Sequence, residues 1–201
     1  DVSPFIYNFV SVNFLKFTSM LILSCIKKTR LFFTILVVGI TQGSYAQGVR
    51  GVLPTVTYPS HATLITGVSP SRHGIVGNNS FDPLQINQGG WYWYASDINV
   101  PTLWDIAAKA KFTTANVHWP VSVNASAVKW NLPQIWRTGH TDDAKLMKSV
   151  ATQGLIESLE SHLGAYAPGI DESIEGDENR GRFATALITR EKPYFTTVYL
   201  T

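Results

Sequence analysis

From Pro101 to Lys111 apolar residues recur at helical spacing, and from Phe112 to Trp119 the chain turns at once to strand-type residues. Leu103, Trp104, Ile106 and Ala107 make the helix face, Pro101 suits a first turn, and Pro120 ends the strand. The order returns further on. Arg180 to Arg190 predicts a helix with Phe183, Ala184, Leu187 and Ile188 on one face, and Tyr194 to Leu200 predicts an alternating strand behind Pro193. A further short strand and loop is predicted over Gly48 to Thr57, with a helix starting at Ser60 and stopped by Gly67. Strands alternating with helices give an α/β fold, a mostly parallel sheet flanked by helices.

Composition narrows the partners. Of 201 residues, 45% are apolar and 15% charged, enough for one domain with a core. The net charge is +2, but Lys16, Lys27, Lys28 and Arg30 oppose only Asp1 in residues 1–46, so the body is slightly acidic. A nucleic-acid polymer is therefore a poor partner. The single cysteine, Cys25, leaves the body without disulfides or thiolate zinc sites.

Residues 1–46 read as a leader. Lys27-Lys28-Thr29-Arg30, the uncharged run Leu31 to Ile40, and Thr41-Gln42-Gly43-Ser44-Tyr45-Ala46 form a signal-peptide-like segment with cleavage after Ala46. The apolar run is too short to span a bilayer. An exported body, periplasmic or secreted, without a stable membrane anchor is the expectation; residues 1–19 are assigned no role.

The block with chemical content is Leu53 to Pro83. Thr57 stands where a strand-loop meets a helix start, near free N–H groups and the positive helix end, which favour an anion. Its hydroxyl is either a loop or cap group or a nucleophile, and a nucleophile needs a base or a metal. The Asn78 amide could donate to an anionic oxygen. His61 reads as a structural helix-start residue and His73 as a loop hydrogen-bonder. His118, His140 and His162 are spread over different elements. Asp142-Asp143 suits a helix N-terminus, and Glu172 to Glu178 a solvated acidic loop. Trp91 to Tyr94 fits core packing or a base-stacking platform.

Pro54-Thr55-Val56-Thr57-Tyr58-Pro59-Ser60-His61-Ala62-Thr63-Leu64-Ile65-Thr66-Gly67, with Pro70, His73-Gly74-Ile75 and Asn78, resembles the nucleophile segment of the type I phosphodiesterase/nucleotide pyrophosphatase family, in the alkaline phosphatase superfamily. Pro101 to Asp105, Trp119-Pro120-Val121 and Trp130 to Trp136 are similar to bacterial members. The resemblance spans roughly residues 48–201. It implies an alkaline-phosphatase-like catalytic domain over 47–201. It also implies a two-zinc site, with Thr57 as nucleophile and zinc ligand, Asn78 holding a phosphoryl oxygen, and Tyr58 stacking on the leaving group. The reaction implied is hydrolysis of a small phosphodiester or nucleotide pyrophosphate through a phosphothreonine.

The sequence departs from that pattern at the metal ligands. No Asp-Gly strand precedes Thr57, and no Asp-x-x-x-His loop follows Leu200. The domain is thus expected to lack its first strand and C-terminal half. The chain is expected to be inactive as it stands, with a metal-free anion-binding remnant or a non-functional truncated product as the alternative.

Overall fold

A computed structural model describes residues 8–12, 50–84, 90–136, 140–167 and 172–201. The signal-like segment 27–46 lies outside them. The elements are β1 (Asn8–Val12), α1 (Thr57–Thr66), α2 (Pro70–His73), a 3-10 turn (Ala95–Asp97), α3 (Leu103–Lys109), β2 (Thr114–Val117), β3 (Trp130–Leu132), α4 (Asp143–Val150), α5 (Leu155–Leu163), α6 (Ile174–Glu191) and β4 (Phe195–Tyr199).

The sheet order is β1-β4-β2-β3. Strands β2, β3 and β4 run parallel, with Asn116 opposite both Asn131 and Thr197. β1 pairs antiparallel with β4, Asn8 opposite Tyr199, so residues 8–12, to which the sequence reading gave no role, cover that edge. The two faces of the sheet are both buried. Ala115, Val117 and Leu132 pack with Met147, Ile156, Leu159, Phe183 and Leu187 from α4, α5 and α6. On the other face Phe195 and Tyr199 pack with Ile65 of α1 and Trp104 of α3.

Several boundaries move from the sequence reading, each for a local reason. Residues 50–56 form no strand, and α1 begins at Thr57 rather than Ser60. Pro59 then falls in the first turn, where a missing N–H costs nothing. Gly67 ends α1 in the left-handed region, φ 71°. α3 opens with a capping box between Thr102 and Asp105. α6 starts six residues earlier than its apolar face shows, because Ser173 accepts from Gly176 N–H and the acidic residues Glu175 and Asp177 sit at the positive helix end. The stretch read as a solvated acidic loop is therefore largely helix. Asp177 there pairs with the fully buried Arg180 at 2.7 Å and accepts from the Thr201 N–H.

A buried polar network crosses the sheet at Asn116. Its amide donates to Ser122 Oγ at 3.0 Å and Asn131 Oδ1 at 2.7 Å. Its oxygen accepts from the Trp119 N–H and the Thr197 hydroxyl. Trp104 Nε1 donates in turn to Thr197, and Asn131 donates to the Ser122 carbonyl. The network holds a strained stretch behind β2, where His118 and Val121 both have positive φ, 62° and 53°. Replacing Asn116 with leucine strands several buried donors and acceptors at once. We expect Asn116→Leu to destabilise the chain by about 3 kcal/mol in a urea titration, well above the about 1 kcal/mol typical of one hydrogen bond.

Candidate functional site

The N-terminus of α1 is the centre of the site. Tyr58, His61, Ala62 and Ile65 form its inner face at helical spacing, and all four are buried. His61 meets the edge of Tyr199, the last residue of β4, at 4.4 Å, and of Trp119, just beyond β2, at 4.8 Å. These contacts set the start of α1 beside the C-terminal ends of the parallel strands, where open α/β sheets bind ligands.

Three backbone positions make the first turn, and each has a distinct fate. The Tyr58 N–H donates to Asn78 Oδ1 at 2.9 Å. Pro59 has no N–H. The Thr57 N–H has no partner among the described residues, and no acidic side chain stands in the first turn to offset the helix dipole. Val56 occupies the N-cap position, so Thr57 is the first helical residue and its half-buried hydroxyl caps nothing. The cap reading of Thr57 does not hold.

Asn78 comes to α1 from the segment behind α2. That segment is fixed by Gly74, at φ 87°, where an added Cβ would lie 2.3 Å from Asn99 Nδ2. His73, fully buried, ties the two helices: its Nε2 meets Thr63 Oγ1 at 3.0 Å and its Nδ1 accepts from the Ile75 N–H. Beyond it the Tyr92 N–H donates to the Asn78 carbonyl, and Asn79 forms an antiparallel bridge with Trp91. Because the Asn78 oxygen is engaged by Tyr58, its NH2 is the end open to an anion.

Tyr58 is placed otherwise than the resemblance implied. Its ring is 0% exposed, packed with Ala62, Ile75 and Val121 and edge-on to Trp91 at 5.2 Å. No face of it is open to a leaving group. Burial also drives its phenol pKa far above the ordinary value. Trp91, half-buried, stacks on Trp136 at 4.4 Å, so this part of the aromatic run packs.

Of the other histidines, His118 is the one brought near the site. It lies parallel to Tyr199 at 5.9 Å, so His61 and His118 share one aromatic neighbour. Spacing along the chain gave no hint of this, since β2 and α1 meet only through the fold. His140 and His162 are exposed and remote from one another in the chain. Among the described residues no three His, Cys, Asp or Glu side chains gather as a metal-binding group. The remaining residues add only Asp1, Cys25 and Asp171 of those types. The donors present do not fit two zinc ions, which need about three protein ligands each.

The chain belongs to the type I phosphodiesterase / nucleotide pyrophosphatase family, whose model it matches over residues 36–201. Among individual proteins it is similar to rat ectonucleotide pyrophosphatase/phosphodiesterase family member 3, 29% identical over 105 residues, 48% of this chain and 11% of that one. It is 44% identical over 41 residues to human family member 1, covering 20% of this chain and 4% of the other. It is 32% identical over 94 residues to a venom phosphodiesterase of Naja atra, 43% of this chain and 11% of the other. The solved structure of murine ectonucleotide pyrophosphatase/phosphodiesterase 5 aligns with a TM-score of 0.37 at 21% identity, over 72% of this chain and 44% of that chain. The chain thus spans a small part of these relatives' length.

Burial pushes the His61 pKa down to about 4, and that of His118 well below the ordinary range, with Arg180 and His61 adding repulsion. The unfolded chain takes up these protons near pH 6.5, whereas the folded chain resists them. Stability should therefore be level above pH 6.5 and fall as pH drops toward 4, by on the order of 3 kcal/mol from His61. Urea midpoints measured across that window check this; a flat profile contradicts a neutral buried His61.

Proposed function

We propose that this chain carries the nucleophile and phosphoryl-binding part of a phosphodiesterase/nucleotide pyrophosphatase. The observation that carries the reading is the hydrogen bond from the Tyr58 N–H to Asn78 Oδ1, which joins two residues 20 positions apart at one helix start. Thr57 supplies the hydroxyl that attacks phosphorus. The Thr57 N–H, the Asn78 NH2 and the α1 dipole hold a non-bridging oxygen. In the reaction the resemblance implies, the Thr57 oxygen bonds to phosphorus as the bond to the leaving group breaks. Water then cleaves the phosphothreonine. The substrates are small phosphodiesters or nucleotides, not nucleic-acid polymers.

The family resemblance implies two zinc ions, whose charge would make the threonine hydroxyl nucleophilic. Since the residues here do not fit that pair, no step is assigned to it. The 201-residue polypeptide therefore binds the phosphoryl group without turning it over, a metal-free anion site on an enzyme's scaffold.

Asn78→Asp tests the binding reading. An aspartate oxygen still accepts from the Tyr58 N–H, so the local fold is kept, but the donor is replaced by a negative charge. We expect the variant to melt like the parent and to bind inorganic phosphate more than tenfold more weakly by 31P NMR titration. Unchanged affinity would exclude Asn78 as a phosphoryl ligand. The parent should release no nitrophenol from bis(p-nitrophenyl) phosphate above the uncatalysed rate, with or without added zinc.

We also propose that residues 1–46 direct export and that the mature domain begins at Gln47. Support comes from the basic, apolar and small-residue order of 27–46. Among the described residues no helix is long and apolar enough to cross a membrane. N-terminal sequencing of exported protein should read Gln47-Gly48-Val49; a start upstream of Lys27 contradicts cleavage.

A further inference from the structure

The peptide unit between Thr57 and Tyr58 is held at both of its polar ends. Its N–H, on Tyr58, donates to Asn78 Oδ1 at 2.9 Å. Its carbonyl, on Thr57, accepts from His61 Nδ1 at 2.8 Å. A carbonyl only accepts, so Nδ1 carries the imidazole proton and Nε2 is a bare acceptor. That Nε2 is buried without a partner among the described residues. An unsatisfied buried nitrogen is a cost that leucine or phenylalanine would avoid. What the imidazole provides in return is the donor on its other side.

We infer that His61 is a positioning residue for the phosphoryl site, fixing the Thr57–Tyr58 peptide plane from the carbonyl side while Asn78 fixes it from the N–H side. The inference rests on the assignment of Thr57 and Asn78 as that site. A peptide plane is rigid, so pinning its oxygen sets the direction of its N–H. The direction of the Tyr58 N–H in turn sets the rotation of the Asn78 amide, and hence where the Asn78 NH2 points. The same plane begins at the Cα of Thr57, so it also limits where the hydroxyl can swing. His61 can do this because it is itself immobile: Trp119 and Tyr199 meet its ring edge-to-face, at 78° and 63°. Placement of the site is thereby tied to the ends of β2 and β4. His61 touches no substrate atom in this scheme and acts only through the Thr57 carbonyl.

The test separates the ring from its donor. In the full 201-residue chain, His61→Phe keeps an aromatic ring and loses the donor. His61→Asn loses the ring but puts an amide N–H where Nδ1 stood. The readouts are hydrogen exchange at the Tyr58 amide, affinity for inorganic phosphate by 31P NMR, and the melting temperature. The expected result for His61→Phe is exchange at Tyr58 and a phosphate Kd each raised about tenfold, the scale of one lost hydrogen bond, with a cooperative melt retained. His61→Asn should bring both back to within about threefold of the parent, although it melts lower for want of packing. The inference is overturned if His61→Phe leaves Tyr58 exchange and phosphate affinity unchanged, or if His61→Asn is as impaired as His61→Phe. His61→Met, also without a donor, takes the place of the phenylalanine variant if that one does not melt cooperatively. If the parent itself binds no phosphate, the functional reading fails, while exchange at Tyr58 still decides the role of His61.

Discussion

The amide of Asn116 is the junction on which this architecture rests. Both of its hydrogens and both acceptor directions of its oxygen are used, so it carries no unmet demand inside the sheet. A leucine in its place would give the sheet more apolar contact but would leave β2, β3, β4 and the loop behind β2 without a common partner. Polar interiors of this kind are favourable only when complete. Here completeness also serves to hold the positive-φ stretch at His118 and Val121, which forms the wall against which α1 is set. The back of the site is thus a rigid, neutral set of amides and hydroxyls.

On that wall the site uses very few atoms. One residue of the first turn has its N–H taken, the next has none, and the first keeps its own. Proline at position 59 is therefore more than a tolerated helix starter. It leaves the first turn with one N–H fewer, so only the Thr57 N–H there lacks a partner among the described residues. Alone, these groups suit recognition of an oxyanion. A threonine hydroxyl needs a base or a Lewis acid to become a nucleophile.

Much of this was legible in the sequence, and the misses have physical causes. The α/β class followed from two helix-to-strand passages, and α1, α3 and β4 came within a few residues of their bounds. β3 was hidden because it is three residues long, too short for any period to show. The start of α6 was hidden because an acidic first turn looks the same as a solvated loop until Ser173 is seen to cap it. That Asn78 reaches the start of α1 was not legible, since nothing in the spacing of Thr57 and Asn78 requires them to meet. The burial of Tyr58 was not legible because exposure is decided by residues elsewhere, Ile75, Trp91 and Val121, that pack against it. The i, i+4 spacing of Thr57 and His61 was available, but a side chain reaching back to its own helix is a weak signal without the aromatic walls that steer it.

The hydrogen bonds differ widely in how far apart along the chain their partners lie. Those at the start of α1 join residues 4 and 20 positions apart. Those that build the scaffold beneath it join residues 81 and 93 apart, from Asn116 and Trp104 to Thr197. Short loops close cheaply and fast, whereas distant contacts wait for most of the chain to be arranged. The bonds within residues 57–78 are local, but the start of α1 is seated only when Trp119 and Tyr199 meet His61. The polar groups at Asn116 and Trp104 must remain hydrated until Thr197 arrives. β4 is thus the element whose placement lets the polar groups of the sheet interior exchange water for protein partners.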